Sequence, residues 1–224
     1  MESRPRPSPV LISFFALLAA AGACPTALFS QAAASSPHLT YTRTFKGSNP
    51  EYLAISLGHD GAGSYEGHRL DEASKPRPLQ LSATTTARVF ALVGRLHNFQ
   101  SVELESHKKV ANLGQKTFIY QQGEDVNRAA FNYTENPDAR ELVNMLEGVA
   151  AVEEHISALE FEMKYDPLRL AEELLQIQID LNNKSLADPE LLVPTLQRIA
   201  QGSRFLHLAQ TRAKEIMERV QPAP

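Results

Sequence analysis

The chain has 224 residues, of which 43% are hydrophobic and 21% are charged, the balance of a globular protein rather than a disordered one. Its 22 basic and 26 acidic side chains give a formal net charge of −4. Nucleic-acid binding depends on clustered Lys and Arg side chains that neutralise phosphates, and the sequence contains no such cluster. Composition and charge therefore exclude nucleic acid as the partner.

The first 32 residues have the three parts of a secretory signal. Arg4 and Arg6 give a positive start, Val10–Ala23 is an apolar run of 14 residues, and small residues follow it. As a helix this run would cover about 21 Å, which is less than the ~30 Å hydrocarbon core of a bilayer. The pattern predicts a signal peptide that is removed, and hence a secreted or periplasmic protein without a membrane span.

Cys24 is the only cysteine, and its fate depends on where the signal is cut. Ser30-Gln31-Ala32 offers small residues at the positions that a signal peptidase reads, and cleavage there would remove Cys24. Alternatively, Ala21-Gly22-Ala23-Cys24 resembles a lipobox, in which case Cys24 becomes a lipidated N-terminus that anchors the protein to the cell envelope. In both cases the sequence after residue 24 has no thiol, which excludes disulfides and cysteine nucleophiles there.

After a flexible lead at 33–38, residues 39–136 have the patterns of a small sheet. Alternating segments rich in Thr and aromatic residues predict about five strands, at 39–45, 51–57, 64–70, 116–121 and 126–133. Lys75-Pro76-Arg77-Pro78 predicts an extended loop, because its prolines are incompatible with a helix interior. Ser82 is a predicted N-cap for one helix, whose apolar residues recur at 3 and 4 spacings to about Asn98.

Residues 137–220 predict three helices, each opened by a proline that follows Asn136, Asp166 or Asp188. Apolar residues at 3 and 4 spacings run through all of them, so each has a face to bury. The first helix, 137–164, is long enough to pack on the sheet first and on the other helices later. The predicted fold is α+β: an antiparallel sheet of about five strands with one packed helix, followed by a C-terminal antiparallel three-helix bundle.

One group of residues suggests metal chemistry. His59, Asp60 and His68 lie on or beside a predicted hairpin, and two histidines with a carboxylate are sufficient for a metal site. His155 follows Glu153-Glu154 on a helix flank and is expected to be solvated. No motif of a serine or cysteine hydrolase is present, and no cofactor is expected.

Two hypotheses about function follow. The first is a non-catalytic interaction, inhibitor or envelope accessory module with a protein partner in the cell envelope or outside the cell. The alternative is a metal-dependent hydrolase that uses His59, Asp60 and His68.

The order of elements also has a likeness to a known family. Two or three strands, a helix with Leu-Val-x-x-Leu at 92–96, a hairpin, and a helix with Leu-Val-x-x-Leu-Glu at 142–147 resemble the small emfourin-type domains over residues 39–150. The resemblance implies a compact α+β module that inhibits metalloproteases of the protealysin group. The family's glycine-rich opening strand is not present, the C-terminal helices have no counterpart, and no inhibitory residue can be transferred.

Overall fold

The computed structural model describes residues 36–72 and 74–221. The predicted signal at 1–32 and both interpretations of Cys24 lie outside the described residues. Within these ranges the six strands are β1 (His38–Thr44), β2 (Tyr52–Gly58), β3 (Ala62–His68), β4 (Arg77–Gln80), β5 (Gln115–Gln122) and β6 (Asp125–Phe131). The α-helices found in the described part of the chain are α1 (Ala83–Arg95), α2 (Pro137–Tyr165), α3 (Leu170–Asn183), α4 (Val193–Gln201) and α5 (His207–Val220). The α+β prediction is confirmed.

All six strands form one antiparallel sheet in the order β4-β3-β2-β1-β5-β6. Side chains alternate along each strand, so that Leu39 and Tyr41 of β1 are buried under α1 and α2 whereas Thr40 and Thr42 point to the opposite face. The helices of residues 36–72 and 74–221 that contact the strands share a single core with Leu39 and Tyr41, on the first of these two faces. The sheet therefore has one covered face and one open face.

The strand count corrects the expectation of about five. The sixth strand is β4, which lies in the segment that the prolines predicted to be a loop. It pairs with β3 in the register Ser64↔Pro78 and Tyr65↔Arg77. Pro78 is tolerated because β4 lies at the edge of the sheet and the position of its missing N–H faces outward.

The predicted caps position the two helices that cover the sheet. The side chain of Ser82 accepts a hydrogen bond from the backbone N–H of Thr85 at 3.2 Å, which opens α1. The side chain of Asn136 accepts bonds from Asp138 N at 3.0 Å and Ala139 N at 3.1 Å, and Pro137 follows as the first helical residue of α2.

Two hydrophobic cores lie along α2, which is 29 residues long. Its first half, from Ala139 to Ala150, is buried with the sheet and α1. Its second half, from Val152 to Met163, is buried with α3, α4 and α5. The same helix therefore supplies side chains to both cores.

The C-terminal region corresponds only roughly to the predicted three-helix bundle. The segment expected to form one helix after Asp188 is a 3₁₀ turn (Pro189–Leu192), α4 and α5, with a break at Gly202. A Cβ atom at Gly202 would lie 2.5 Å from the Phe205 ring, so the chain turns here to bury that ring. The break cannot be seen from periodicity alone, because the 3 and 4 spacing of apolar residues continues across Gly202.

None of the helices in the described ranges combines the length and the hydropathy that crossing a bilayer requires.

Candidate interaction site

The three residues of the predicted metal site lie at two ends of the sheet. His59 and Asp60 occupy the turn between β2 and β3, whereas His68 is the last residue of β3. Six residue steps along that strand separate Ala62 from His68, a distance of about 20 Å. Within the part of the chain that the structure describes, no group of three His, Cys, Asp or Glu side chains is placed to hold a metal ion. The structure does not bring the three predicted ligands together.

Each of these residues has a local partner instead. The His59 ring stacks on Phe90 of α1 with ring centroids 3.9 Å apart. The carboxylate of Asp60 accepts a hydrogen bond from Ala62 N at 3.0 Å, which closes the turn. His68 lies 4.9 Å from the Tyr52 ring and pairs with a carboxylate of its own strand.

Buried ionisable groups join the sheet to α2. The hydroxyl of Tyr41 donates to Glu147 at 2.7 Å, and that of Tyr65 donates to Glu154. Burial, followed by the neighbouring carboxylate, raises the pKa of both tyrosines well above the ordinary value, so both hydroxyls stay protonated as donors. These pairs tie two strands to the middle of one helix.

Asp188 makes a second link, between α1 and the helical region. Its side chain accepts hydrogen bonds from Ser82 N at 2.7 Å, Ser82 Oγ at 2.5 Å and Thr85 Oγ1 at 2.9 Å. Asp188 is 6% exposed and precedes the 3₁₀ turn before α4. The carboxylate therefore binds the N-terminus of α1 from more than one hundred residues away in sequence.

A third polar cluster joins α2 to α3, and here the expectation of a solvated His155 is wrong. The His155 ring bonds to Glu173 Oε1 at 2.6 Å and to Asp180 Oδ2 at 3.2 Å, and its side chain is 11% exposed. Glu162 lies two turns along the same face of α2, is 8% exposed, and has a carboxylate oxygen without a partner among the described residues. Burial foremost, and then Glu173, raises the pKa of Glu162.

The two edges of the sheet differ in a way that bears on binding. At the β4 edge, Leu81 N donates to Gly61 O of the β3 side at 2.9 Å, so alternation directs Pro78 and Gln80 outward. Proline has no N–H to offer, and a strand of four residues gives little length. The β4 edge is therefore closed to further strand pairing.

The β6 edge presents a complete row of backbone groups. Gln122 and Asp125 flank the two-residue turn of the β5–β6 hairpin, and such flanking residues form a hydrogen-bonded pair. Alternation from Asp125 directs the N–H and C=O groups of Val126, Arg128 and Ala130 away from β5. No described residue forms a hydrogen bond with these outward groups.

The chain covers its own edge just beyond this row. Asn132 N donates to a carboxylate oxygen of Glu105 at 2.6 Å, and Ser106 N donates to Tyr133 O at 2.8 Å. The loop between α1 and β5 thus occupies the end of the edge, and no described segment pairs with 126–130.

The side chains of the free segment form an exposed patch. Val126 is 58% exposed, and Arg128 and Ala130 are also exposed, whereas Ala129 and Phe131 point into the core. Within the described ranges Arg128 forms no ion pair. We define the β6 edge as Val126–Ala130, with its outward backbone groups and these three exposed side chains. The sequence predicts the hairpin that contains it but gives no signal that β6 lies at an edge.

A scan against models of known protein families finds no match to this chain, and a search of curated proteins finds none either. The β6 edge is therefore interpreted from its own geometry.

Proposed function

We propose that this chain is a non-catalytic protein-binding module that works outside the cytoplasm and engages its partner at the β6 edge. One observation carries the proposal: outward backbone groups at three alternate residues of β6 have no partner among the described residues. Folded proteins usually protect such edges with proline, short strands or covering loops, because an open edge recruits other chains. This chain protects β4 and the end of β6 in these ways, but nothing in residues 36–72 and 74–221 covers 126–130.

The partners of four ionisable groups also favour binding over catalysis. Asp188 accepts hydrogen bonds from Ser82 and Thr85 at the start of α1, Glu147 and Glu154 accept from tyrosines of the sheet, and His155 joins two helices. Each of these groups satisfies a partner on another element, so its role is accounted for by stability. Glu147, Glu154 and His155 do line a cavity between the sheet and α2, but each already bonds to a partner there, whereas a catalytic group needs a reactive atom left free.

The compartment is proposed from the sequence. The positive start and apolar run of residues 1–32 support export, and removal of this segment leaves a secreted or periplasmic module. Retention of Cys24 as a lipidated first residue would instead hold the module at the envelope. The resemblance to emfourin-type domains supports an inhibitory role, in which the partner is a metalloprotease.

Site-specific photo-crosslinking in the native host tests this proposal. Benzoylphenylalanine replaces Val126 on the β6 edge in one full-length variant, and Gln80 on the closed β4 edge in the matched control. We expect a crosslinked protein in the envelope or secreted fraction from position 126 only. Equal products from both positions, or none from either, would contradict the proposal. Mass spectrometry of the crosslinked chain gives its mature N-terminus, and recovery of the intact chain from the cytosol would contradict export.

A further inference from the structure

We infer that the occupant of the β6 edge is an extended peptide segment of a partner, which adds a seventh strand and places an acidic side chain opposite Arg128. This inference rests on the proposed function and names the chemistry of the partner. It follows from the backbone groups, the side chains and the charge of residues 126–130.

The backbone sets the shape of the partner. Val126, Arg128 and Ala130 each direct one N–H donor and one C=O acceptor outward, at intervals of two residues. A helix satisfies its own backbone and cannot pair with such a row, whereas an extended segment presents the same spacing of about 6.6 Å between alternate residues. Strand addition to an open edge is an established way in which domains bind peptides. A segment of about five residues matches the free length of β6.

The side chains set the composition of the partner. The three outward residues share the open face of the sheet, since the intervening Ala129 is 4% exposed and faces the core. Directly across β5, Arg128 is opposite Ile119, and its neighbours Val126 and Ala130 are opposite Gln121 and Thr117. None of these side chains is charged, so the guanidinium has no balancing carboxylate on the cross-strand positions of β5. A seventh strand brings a side chain to the other flank of Arg128, where opposite charge stabilises the pair.

A second copy of the chain fits the edge poorly. Antiparallel pairing of two β6 strands through all three outward residues matches Val126 with Ala130 and Arg128 with itself. Two guanidinium groups would then lie directly opposite each other, which is unfavourable on a sheet. The charge therefore favours a partner with an acidic residue over self-association.

A phage-displayed library of random linear nine-residue peptides, selected on the full chain, tests the inference. We expect the selected peptides to share an alternating pattern with one Asp or Glu. Synthetic versions should bind Ala130→Pro at least tenfold more weakly, since this change removes one outward N–H and keeps the bonds to β5. Ala130→Val, which keeps that N–H, should bind within about twofold of the original. Arg128→Glu should weaken binding about tenfold and Arg128→Lys less than threefold.

Amide hydrogen exchange on the unmodified chain provides a readout that does not depend on the folding of any variant. Peptide binding should slow exchange at the amides of Val126, Arg128 and Ala130, which are free in the described structure. Selected peptides without a shared acidic residue, or without slowed exchange at these amides, would overturn the inference. Slowed exchange that grows with protein concentration in the absence of peptide would assign the edge to a second copy and also overturn it.

The two proposals fail separately. If position 126 forms a crosslink but the peptides bind Ala130→Pro as tightly as the original chain, the inference is wrong and the proposed function stands. The absence of both a crosslink and any selected peptide removes both.

Discussion

The bond between Asp188 and the start of α1 gives the sharpest test of how the two parts of the fold hold together. Replacing Asp188 with Ala leaves one backbone N–H and two hydroxyls, from Ser82 and Thr85, without their acceptor. A hydrogen bond to a buried charged group contributes about 1.5–3 kcal/mol. The hydroxyls can rebond to each other, because Ser82 Oγ and Thr85 Oγ1 lie 3.1 Å apart.

We therefore expect Asp188→Ala to lower the free energy of unfolding by about 4 kcal/mol. Of this, about 3 kcal/mol comes from the lost bonds, and about 1 kcal/mol from the left-handed backbone at Asp188, whose φ is 58°. Asp188→Asn tolerates that backbone and keeps one acceptor oxygen, so it should lose only about 1.5 kcal/mol.

Equilibrium urea unfolding of the full chain, followed by far-ultraviolet circular dichroism, measures both losses. A double variant with Ser82→Ala tests the contact itself, because residues of one network should lose less together than the sum of their separate losses. Equal losses for Asn and Ala at position 188, or strict additivity with Ser82→Ala, would refute the assigned role.

Two further changes test packing and burial along α2. Gly148→Ala should lower the free energy of unfolding by about 1–3 kcal/mol, since the new Cβ would lie 2.9 Å from Ala187 N. Gly94 lies in α1, and a Cβ atom added there meets nothing within 4 Å, so the control Gly94→Ala should raise the free energy of unfolding by about 0.5–1 kcal/mol. Thermal unfolding compares the two variants. An equal loss of stability in both would contradict the contact between Gly148 and Ala187. Glu162→Gln should raise the free energy of unfolding at pH 7, because burial raises the pKa of the wild-type carboxyl in the folded state. Because the pKa of Glu162 is raised in the folded state, the wild type loses stability as pH rises from the unfolded pKa of about 4.3 towards the folded value. In urea titrations the stability gained by Glu162→Gln should therefore be small at pH 4 and larger at pH 7. A gain that is constant with pH would show that ionisation of Glu162 is not its cause.

Local signals in the sequence predicted two helix starts and one hairpin correctly. Ser82 and Asn136 are caps in the structure, because a side-chain acceptor followed by an apolar periodic segment leaves little alternative to a helix start. The β5–β6 hairpin also lies where the strands predicted at 116–121 and 126–133 indicated, and Gly123 with φ of 65° meets the needs of its two-residue turn.

The errors come from interactions between distant residues. Pro78 indicates a loop in isolation, but pairing with Ser64 makes it part of an edge strand. His155 has the neighbours of an exposed residue within its own helix, yet Glu173 and Asp180 of the next helix enclose it. Contacts with residues distant in sequence determine the structure at Pro78 and at His155, and the local sequence pattern does not reveal those contacts.

The candidate site depends on the order of strands, which the sequence does not encode locally. Val126 and Arg128 belong to an alternating segment that would suit a central strand equally well. Their importance follows from the absence of a seventh strand among the described residues, and from the register that directs their amides outward. Conversely, His59 and His68 are nine positions apart in sequence and lie at two ends of one strand.

Because α2 contributes side chains to both cores, its length cannot change by even one residue without moving one core relative to the other. One residue inserted beside Ala151 would rotate everything after it by about 100° and advance it by about 1.5 Å. The stripe from Val152 to Met163 would then turn away from α3, α4 and α5 while the stripe from Ala139 to Ala150 stayed on the sheet. The helix thus fixes the rotation and the spacing of one hydrophobic core relative to the other. Length variation can be absorbed in the surface loops, but not along this axis.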